Sequence, residues 1–169
     1  MSRILRPRPL TREAFQRYGD VIETRASDGP REINQGYGLR FDDLADLQAG
    51  DGRVVVSIFR SRPPTLPFAI RTMECHPLGS QAFVPLSGRP YLVVVALAGP
   101  FDLGAVEAFV ASARQGVNFH PGVWHHFNLA LGEESEFLVI DREGPGDNLE
   151  ETFWSEAEAP ILVAPDALP

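Results

Sequence analysis

The chain has 169 residues, a formal net charge of −8 at pH 7 and a sequence pI near 4.9. An acidic chain lacks the basic face needed to bind a nucleic-acid backbone, so we predict no nucleic-acid partner. Its cationic side chains are all arginines, which excludes a Schiff-base lysine. Anionic parts of a ligand must therefore meet arginine, histidine or backbone N–H groups, and arginine offers a planar fork suited to a carboxylate.

The composition predicts a cytoplasmic protein without a membrane partner. The single cysteine, Cys75, cannot form an intrachain disulfide. The N-terminal MSRILRPRPL lacks the apolar core of a signal peptide, and no apolar run reaches the length of a membrane-spanning helix. Fifteen glycines and fifteen prolines are spread along the chain, which favours many short strands and turns over a helical bundle.

The N-terminal part is predicted to contain one short helix and then a strand. Thr11 is a good N-cap for a helix over 12–18, and a strand begins near 21–23. A polar loop follows, and 41–47 suggests one or two helical turns. The β-branched run RVVVSIFR at 53–60 predicts a strand.

The rest of the chain is dominated by predicted strands. Asp102 is expected to cap a helix whose apolar residues at 103, 106, 109 and 110 follow the helical period. The strands are predicted at 69–76, 81–86, 90–98, 116–120, 124–131 and 135–142, with a further strand-like run at 161–163. The fold class is therefore mainly β, an antiparallel barrel or jelly roll with a few short helices. We expect one domain over 1–169, with a core of about 15–142 and an acidic, proline-rich, solvated tail at 143–169.

A cluster of polar side chains is predicted inside this barrel, where residues of each strand alternate between interior and exterior. Alternation places Glu74 and His76 on one face of their strand, and Gln81 opens the next strand. His125 shares a face with the apolar residues of its own strand, so it is predicted to point inward. His126, its neighbour, is predicted to point away.

These residue types suit two kinds of chemistry. Two imidazoles with carboxylate or amide oxygens suit a divalent metal such as Ni, Mn, Fe or Zn, and we assign His76, Gln81 and His125 as its ligands. The same groups suit general acid–base catalysis, for which we assign Glu74, His76 and His125. The plainer alternative is a set of hydrogen-bonded polar residues at the mouth of a barrel.

Three residues are assigned to substrate binding: Arg60, Gln81 and His126. Arg60 ends a row with Val54, Val56 and Ile58 that we expect to face inward, which would make its guanidinium a clamp for a carboxylate. A solvated arginine at the end of a strand is the alternative.

The same segments resemble two motifs of the cupin superfamily. Glu74-x-His76-x4-Gln81-x6-Gly88 keeps the spacing of the first motif, although that motif has His and Glu at the first and third of these positions. Gly116, Pro121-Gly122 and His125 follow the second motif. More specifically, CHPLGSQAFVPL (75–86) and GVNFHPGVWHHFNLAL (116–131) resemble hallmark strings of the ureidoglycolate lyase family, and the resemblance runs from about 15 to 142.

The resemblance implies a homodimeric enzyme with a cupin-like β-barrel that acts in the catabolism of allantoin, a purine product. It would split (S)-ureidoglycolate, a small-molecule substrate, into glyoxylate and urea. On this reaction we expect Glu74 or His76 as the base, His125 as the acid, and Arg60 as the clamp for the carboxylate. The family suggests nickel as a divalent metal, and no organic cofactor is expected.

Three other functions remain open at this stage. A ureidoglycolate hydrolase would release ammonia and carbon dioxide in place of urea. A sugar epimerase or isomerase of the cupin type would need more basic residues for a nucleotide sugar than this chain offers. A ligand-sensing cupin would bind glyoxylate without catalysing a reaction.

Overall fold

The computed structural model describes residues 3–169 and contains mostly strands. Strands account for 41% of the residues and helices for 7%, which confirms the predicted mainly β fold with a few short helices. Among the described residues, none of the helices has the length and apolar character needed to cross a membrane.

Seventeen short strands and one short α-helix follow one another along the described part of the chain. The helix α1 is Arg12–Phe15, and 3-10 turns lie at Ala26–Asp28, Asn34–Gly36 and Leu103–Ala105. The strands are β1 (Ile4–Leu5), β2 (Arg8–Pro9), β3 (Gly19–Ile22), β4 (Arg31–Ile33), β5 (Gly38–Arg40), β6 (Arg53–Ser61), β7 (Phe68–Ala69), β8 (Thr72–Cys75), β9 (Gln81–Pro85), β10 (Tyr91–Ala96), β11 (Glu107–Ala111), β12 (Gly116–Phe119), β13 (Trp124–His125), β14 (Leu129–Ala130), β15 (Ser135–Glu143), β16 (Glu150–Phe153) and β17 (Ile161–Leu162).

Two large sheets enclose the main core. The first has the order β16-β8-β13-β10-β11-β2, with β14 also paired to β10, and the second has the order β3-β12-β9-β15-β6. Apolar side chains that alternate along each strand meet between the sheets, as the period of two requires. This core includes Phe83, Val93, Val95, Phe119, Phe137 and Val139, all at most 5% exposed.

A second apolar cluster covers the opposite face of the first sheet. It contains Met73, Cys75 and Trp124 from that sheet, and Leu5 and Leu162 from the two ends of the described chain. The end segments lie there because β1 pairs in parallel with β17, which in turn pairs with β7. Both faces of the first sheet are therefore buried at its centre, where each residue of β10 is nearly inaccessible to solvent, whereas the edge strands β16 and β2 are largely exposed.

The N-terminal helix is shorter than predicted. Thr11 caps it as expected, since its Oγ1 accepts a hydrogen bond of 3.1 Å from the Ala14 N–H. The helix ends at Phe15 because the Tyr18 N–H turns back to the Phe15 carbonyl, and both rings are buried 5.7 Å apart in the main core. Burial of the two aromatic side chains thus ends the helix before residue 18.

Two predicted helical segments are wrong. Residues 41–47 form no helix, and the Asp46 N–H binds the Asp20 carboxylate at 3.0 Å instead of a carbonyl of its own segment. Asp102 does cap a turn, since its Oδ1 accepts from the Gly104 N–H at 2.8 Å, but residues 107–111 form strand β11. β11 pairs with β10 on one side and with β2 on the other, and both of its faces are buried. Its apolar run is therefore continuous and does not alternate with the period of a strand.

The C-terminal tail contributes strands β16 and β17 to two sheets, and Trp154 and Leu162 to the second apolar cluster, so it is not simply a solvated surface. β16 pairs with β8 in the register Glu151↔Glu74, and β17 falls within the predicted strand-like run. Most charged side chains of the tail are exposed, as predicted. The prediction of a separate tail fails because the strand partners of 150–153 lie about 75 residues earlier in the chain.

Candidate active site

Glu74 points into the space between the two sheets because the residues before and after it point to the opposite face of β8. Met73 and Cys75, at 0% and 3% exposed, pack in the second apolar cluster, so alternation along β8 turns Glu74 toward the interior. β8 pairs with β13 so that Glu74 lies opposite His125. Burial raises the pKa of the Glu74 carboxyl, and the nearby His76 partly opposes that rise.

His125 is the most enclosed member of the site. Its side chain is 1% exposed, and its ring stacks on Phe119 with centroids 4.3 Å apart and planes within 4°. Its Nδ1 lies 3.2 Å from the backbone oxygen of His126 and so donates to it, which leaves Nε2 with a lone pair. Burial lowers the pKa of His125 to about 3, so the imidazole is neutral near pH 7.

His76 follows β8 and is held by the tail. Its Nδ1 donates to the backbone oxygen of Asn148 at 2.7 Å, and the Asn148 side chain accepts from the Leu78 N–H at 2.8 Å. This arrangement again leaves Nε2 as the nitrogen with a free lone pair. The ring of His76 lies 5.3 Å from that of His125.

The three residues meet at one point, as the sequence predicted. Glu74 Oε1 lies 3.9 Å from His76 Nε2 and 3.9 Å from His125 Nδ1. One donor atom from each residue falls within 4.8 Å of the others. A buried carboxylate between two imidazoles can exchange a proton with a ligand, and the three groups can also ligate a cation.

Gln81 and Asp141 extend this centre along the second sheet. Gln81 is 7% exposed and pairs with Phe119, the residue on which His125 stacks. Asp141 shares the inward face of β15 with Phe137 and Val139. Burial raises the pKa of the Asp141 carboxyl, while the Gln81 side chain favours its ionised form.

The donor set fits a divalent metal. His76 Nε2, His125 Nε2 and Gln81 Oε1 are buried, and none of them has a hydrogen-bond partner among the described residues. Buried polar atoms are rarely left without a partner unless a site uses them. Two imidazole nitrogens with amide and carboxylate oxygens match the preferences of a borderline divalent ion.

Arg60 does not point into the barrel, so the predicted inward orientation of its row is wrong. Val54, Val56 and Ile58 are 48%, 63% and 53% exposed. β6 pairs with β15 so that Ser57 faces the same side as the buried Val139, which turns the even-numbered residues outward. Arg60 instead binds Glu136 at 2.7 Å, at the rim of a cavity of about 520 Å³ that Glu74 also lines.

His126 lies apart from the cluster of Glu74, His76 and His125. It is 4% exposed, and its ring packs at 5.8 Å against Phe68, which borders the second apolar cluster. Burial lowers its pKa to about 4. Its ring packs on Phe68 and not on that cluster, so the structure does not support the substrate-binding role that we assigned to His126 from the sequence.

The inward direction of His125 was predicted correctly, but its premise was wrong. The predicted strand 124–131 is broken into β13 and β14, so alternation does not run through it. Phe127 is 50% exposed, and Leu129 packs in the second apolar cluster. His125 faces inward because it pairs with Val95, whose side chain lies in the main core.

Three functional neighbours were missed by the sequence interpretation: Asp141, Phe119 and Asn148. Asp141 was detectable, because it continues the alternating row of Phe137 and Val139 on a strand that was predicted correctly. No local signal marks Asn148, whose backbone oxygen acts on a histidine 72 residues away.

Fold and site together define a mainly β protein with a partly buried centre of one carboxylate and two imidazoles. The chain belongs to the ureidoglycolate lyase family. The family model described as "Ureidoglycolate lyase" matches residues 2–161. A ureidoglycolate lyase of Burkholderia mallei is 54% identical over 162 residues, which cover 92% of this chain and 95% of the relative. Those of Pseudomonas syringae and Pseudomonas putida are 48% and 46% identical, covering 91% and 95% of this chain and 92% and 97% of the relatives.

Proposed function

We propose that this protein is a ureidoglycolate lyase that converts (S)-ureidoglycolate into glyoxylate and urea in the breakdown of allantoin. Family membership supports the reaction. The observation that carries it is the convergence of Glu74, His76 and His125 on one interior point. The reaction needs one group to take a proton from the substrate hydroxyl and one to give a proton to the departing nitrogen.

The electrostatics of the site support Glu74 as the residue that moves the proton. Its carboxylate takes the proton of the hydroxyl, the carbonyl of glyoxylate forms, and the bond from that carbon to the ureido nitrogen breaks. The carboxyl then gives the same proton to the nitrogen, so urea leaves as a neutral molecule and Glu74 is regenerated. A raised pKa suits this double role.

His125 is better suited to binding than to donating a proton. Because burial lowers the pKa of His125 to about 3, little protonated imidazole exists at neutral pH to serve as the acid we first assigned. We therefore propose that His76 and His125 direct their Nε2 lone pairs at the substrate or at a metal. Glu74 then replaces His125 as the source of the proton.

A divalent metal, with nickel suggested by the family resemblance, would be held by His76, His125 and Gln81, with Glu74 close by. Such an ion would polarise the hydroxyl and the developing carbonyl oxygen of the substrate when bound. We propose no organic cofactor.

The cavity of about 520 Å³, here called the larger cavity, is proposed to bind the carboxylate end of the substrate. Glu74, Phe83 and Phe127 line it, with Arg60 and Arg62 at its rim. Arg60 is engaged with Glu136, so a substrate carboxylate would have to share or replace that partner. We assign no substrate contact to His126, because it packs against Phe68 away from this cavity.

We further propose that residues 1–169 form one cupin-like domain that associates as a homodimer. The outer face of the second sheet supports the dimer, because exposed apolar side chains follow one another across β6, β15 and β9. Val54, Val56, Ile58 and Leu86 are 48–63% exposed, and Leu138 and Ile140 pair beside them. An apolar sheet face of this kind is typical of an interface. A cytoplasmic location remains a prediction from the sequence.

Product analysis tests the proposed reaction. Purified protein given fresh ureidoglycolate should release urea and glyoxylate in equal amounts without ammonia, and the assay is repeated after chelation of metals and after reloading with nickel, manganese or zinc. Loss of activity on chelation and its return with one ion would identify the metal. Ammonia with carbon dioxide would establish the hydrolase instead, and binding of glyoxylate without turnover by any sample would favour the sensor.

A further inference from the structure

A second, smaller cavity adjoins the cluster of Glu74, His76 and His125. Its volume is about 290 Å³, and its lining includes His76, Gln81, Asp141 and Asn148. Glu74 lines the larger cavity and His76 the smaller one, and only 3.9 Å separate Glu74 Oε1 from His76 Nε2. Two neighbouring side chains therefore border two different cavities, and a ligand bound at Glu74 lies close to both.

The smaller cavity offers hydrogen-bond acceptors. Gln81 Oε1 is buried without a partner among the described residues. Asp141 lies beside it, because the register Ile140↔Ala82 places the next residues of β15 and β9 next to each other on the inward face. Both side chains thus line the same space.

The cation in the lining of this cavity is already paired with a carboxylate and two carbonyls. The guanidinium of Arg142 donates to the carbonyls of Ala49 and Pro145 at 3.0 and 2.7 Å, and to the Asp51 carboxylate at 2.5 Å. His76 is committed through Nδ1 to Asn148. A second carboxylate in this space would face Asp141 without a free positive charge, whereas a group rich in N–H donors would find acceptors.

We propose that this smaller cavity binds the ureido end of the substrate, with Asp141 accepting N–H bonds from the ureido group and, in the metal-free site, Gln81 Oε1 accepting a further one. This assignment rests on the proposed lyase function. The two nitrogens of a ureido group can direct parallel N–H bonds at one carboxylate, the same planar match that an arginine fork makes. The carboxylate end of the substrate then occupies the larger cavity on the side of Arg60 and Arg62.

The assignment predicts how the site selects its substrate. A site that uses buried acceptors to bind N–H groups rejects analogues without them, because the acceptors are then left unpaired. Analogues in which the ureido group is replaced by an alkyl chain or a carboxylate should be rejected, even though both keep the hydroxyl and carboxylate of the substrate.

Product inhibition separates the two ends of the site. Urea and glyoxylate are each tested as inhibitors of the wild type, Asp141→Asn and the control Arg60→Gln, at urea concentrations below those that unfold the chain. Asp141→Asn should raise the inhibition constant of urea about tenfold, the loss of one charge-assisted hydrogen bond, and that of glyoxylate less than about twofold. Arg60→Gln should raise the inhibition constant of glyoxylate and leave that of urea nearly unchanged. Thermal unfolding checks each variant, and Gln81→Leu provides a second test if Asp141→Asn does not fold.

A binding measurement keeps the inference separate from the proposed reaction. Saturation-transfer NMR on the methyl protons of N-methylurea reports binding without turnover, with the same variants. A wild type that yields no urea from ureidoglycolate would refute the lyase function. Three results for Asp141→Asn would overturn the ureido site and leave the lyase function standing. The variant could weaken the binding of glyoxylate but not of urea, weaken the binding of both equally, or leave the binding of N-methylurea intact.

Discussion

The chemistry of single residues in this protein is set by burial more than by paired charges. Glu74 and His125 face each other across two strands, and withdrawal from water moves both toward their neutral forms. For a carboxyl this makes a proton easier to hold, and for an imidazole it makes a lone pair easier to keep. The same burial therefore prepares one residue to carry a proton and the other to act as an acceptor or ligand.

Replacement of Glu74 by glutamine should separate activity from stability. We expect turnover to fall by about two to four orders of magnitude, the usual loss when a general acid–base group is removed. Because the folded-state pKa of Glu74 is raised above 4.5, its favourable contribution to stability is present at low pH and is lost as pH rises through the folded-state pKa. Glu74→Gln should therefore melt at a higher temperature than the wild type at pH 7, and this gain should disappear in acid.

The matched control is Glu151→Gln, which removes the exposed carboxylate paired with Glu74 on the neighbouring strand. That variant should keep near-normal turnover. A Glu74→Gln enzyme that retains most of its activity would refute the proton-transfer role.

At the scale of the elements, the sequence predicted those strands whose signal is local. β6, β9 and β15 were predicted to within a residue or so, because β-branched residues and turn residues mark them. β11 was mistaken for a helix, because both of its faces are buried and its period is lost. The orientation of β6 was reversed, since alternation gives two faces but does not say which one another strand will cover.

The candidate site was likewise predictable only where a local sequence pattern marks its residues. Glu74 and His76 follow from one short strand, whereas their link to Asn148 depends on the pairing of β16 with β8 across most of the chain. Residues of the tail carry no sign of this partner in their own sequence. The missing part of the site is therefore the part made by long-range contacts.

Arg142 should be the most sensitive point of the loop that supports His76. Its side chain is 1% exposed and joins the segment at 49–51 to the segment at 145. Arg142→Leu leaves buried carbonyls unpaired and should cost about 2–4 kcal/mol of unfolding free energy. Because the chain continues from Pro145 to Asn148, kcat of the folded fraction should also fall.

Chemical denaturation and steady-state kinetics on the same samples check both effects. Arg142→Lys keeps the charge without the planar fork, so it should fall between the wild type and Arg142→Leu. A leucine variant as stable as the wild type would contradict the supporting role.

At the scale of the whole molecule, one of the two large sheets is covered on both faces at its centre, and the other is covered only on the inside. The covered sheet includes β10, whose six residues are all buried, whereas the outer face of β6 and β15 meets solvent. An isolated chain would expose this apolar surface continuously. Pairing with a second copy would bury it on both partners at once, as in a symmetric dimer.

Val56→Asp should convert the proposed dimer to a monomer. The wild type should have twice the 18.6 kDa mass of one chain in sedimentation equilibrium, and the variant a single chain mass. Leu39→Asp is the matched control, because Leu39 and Val56 are both 63% exposed but Leu39 lies on the separate β4–β5 hairpin. A monomeric wild type, or dissociation by both variants, would refute this interface.

The pairing of β16 with β8 has a consequence for how the protein comes into being on the ribosome. The strand that carries Glu74 receives its outer neighbour, and His76 its backbone acceptor, from residues synthesised some 75 positions later. A nascent chain that has already collapsed around its apolar interior still lacks a finished catalytic centre. Competence arises only when the final stretch has emerged and docked, so an interrupted translation product would be compact yet inert.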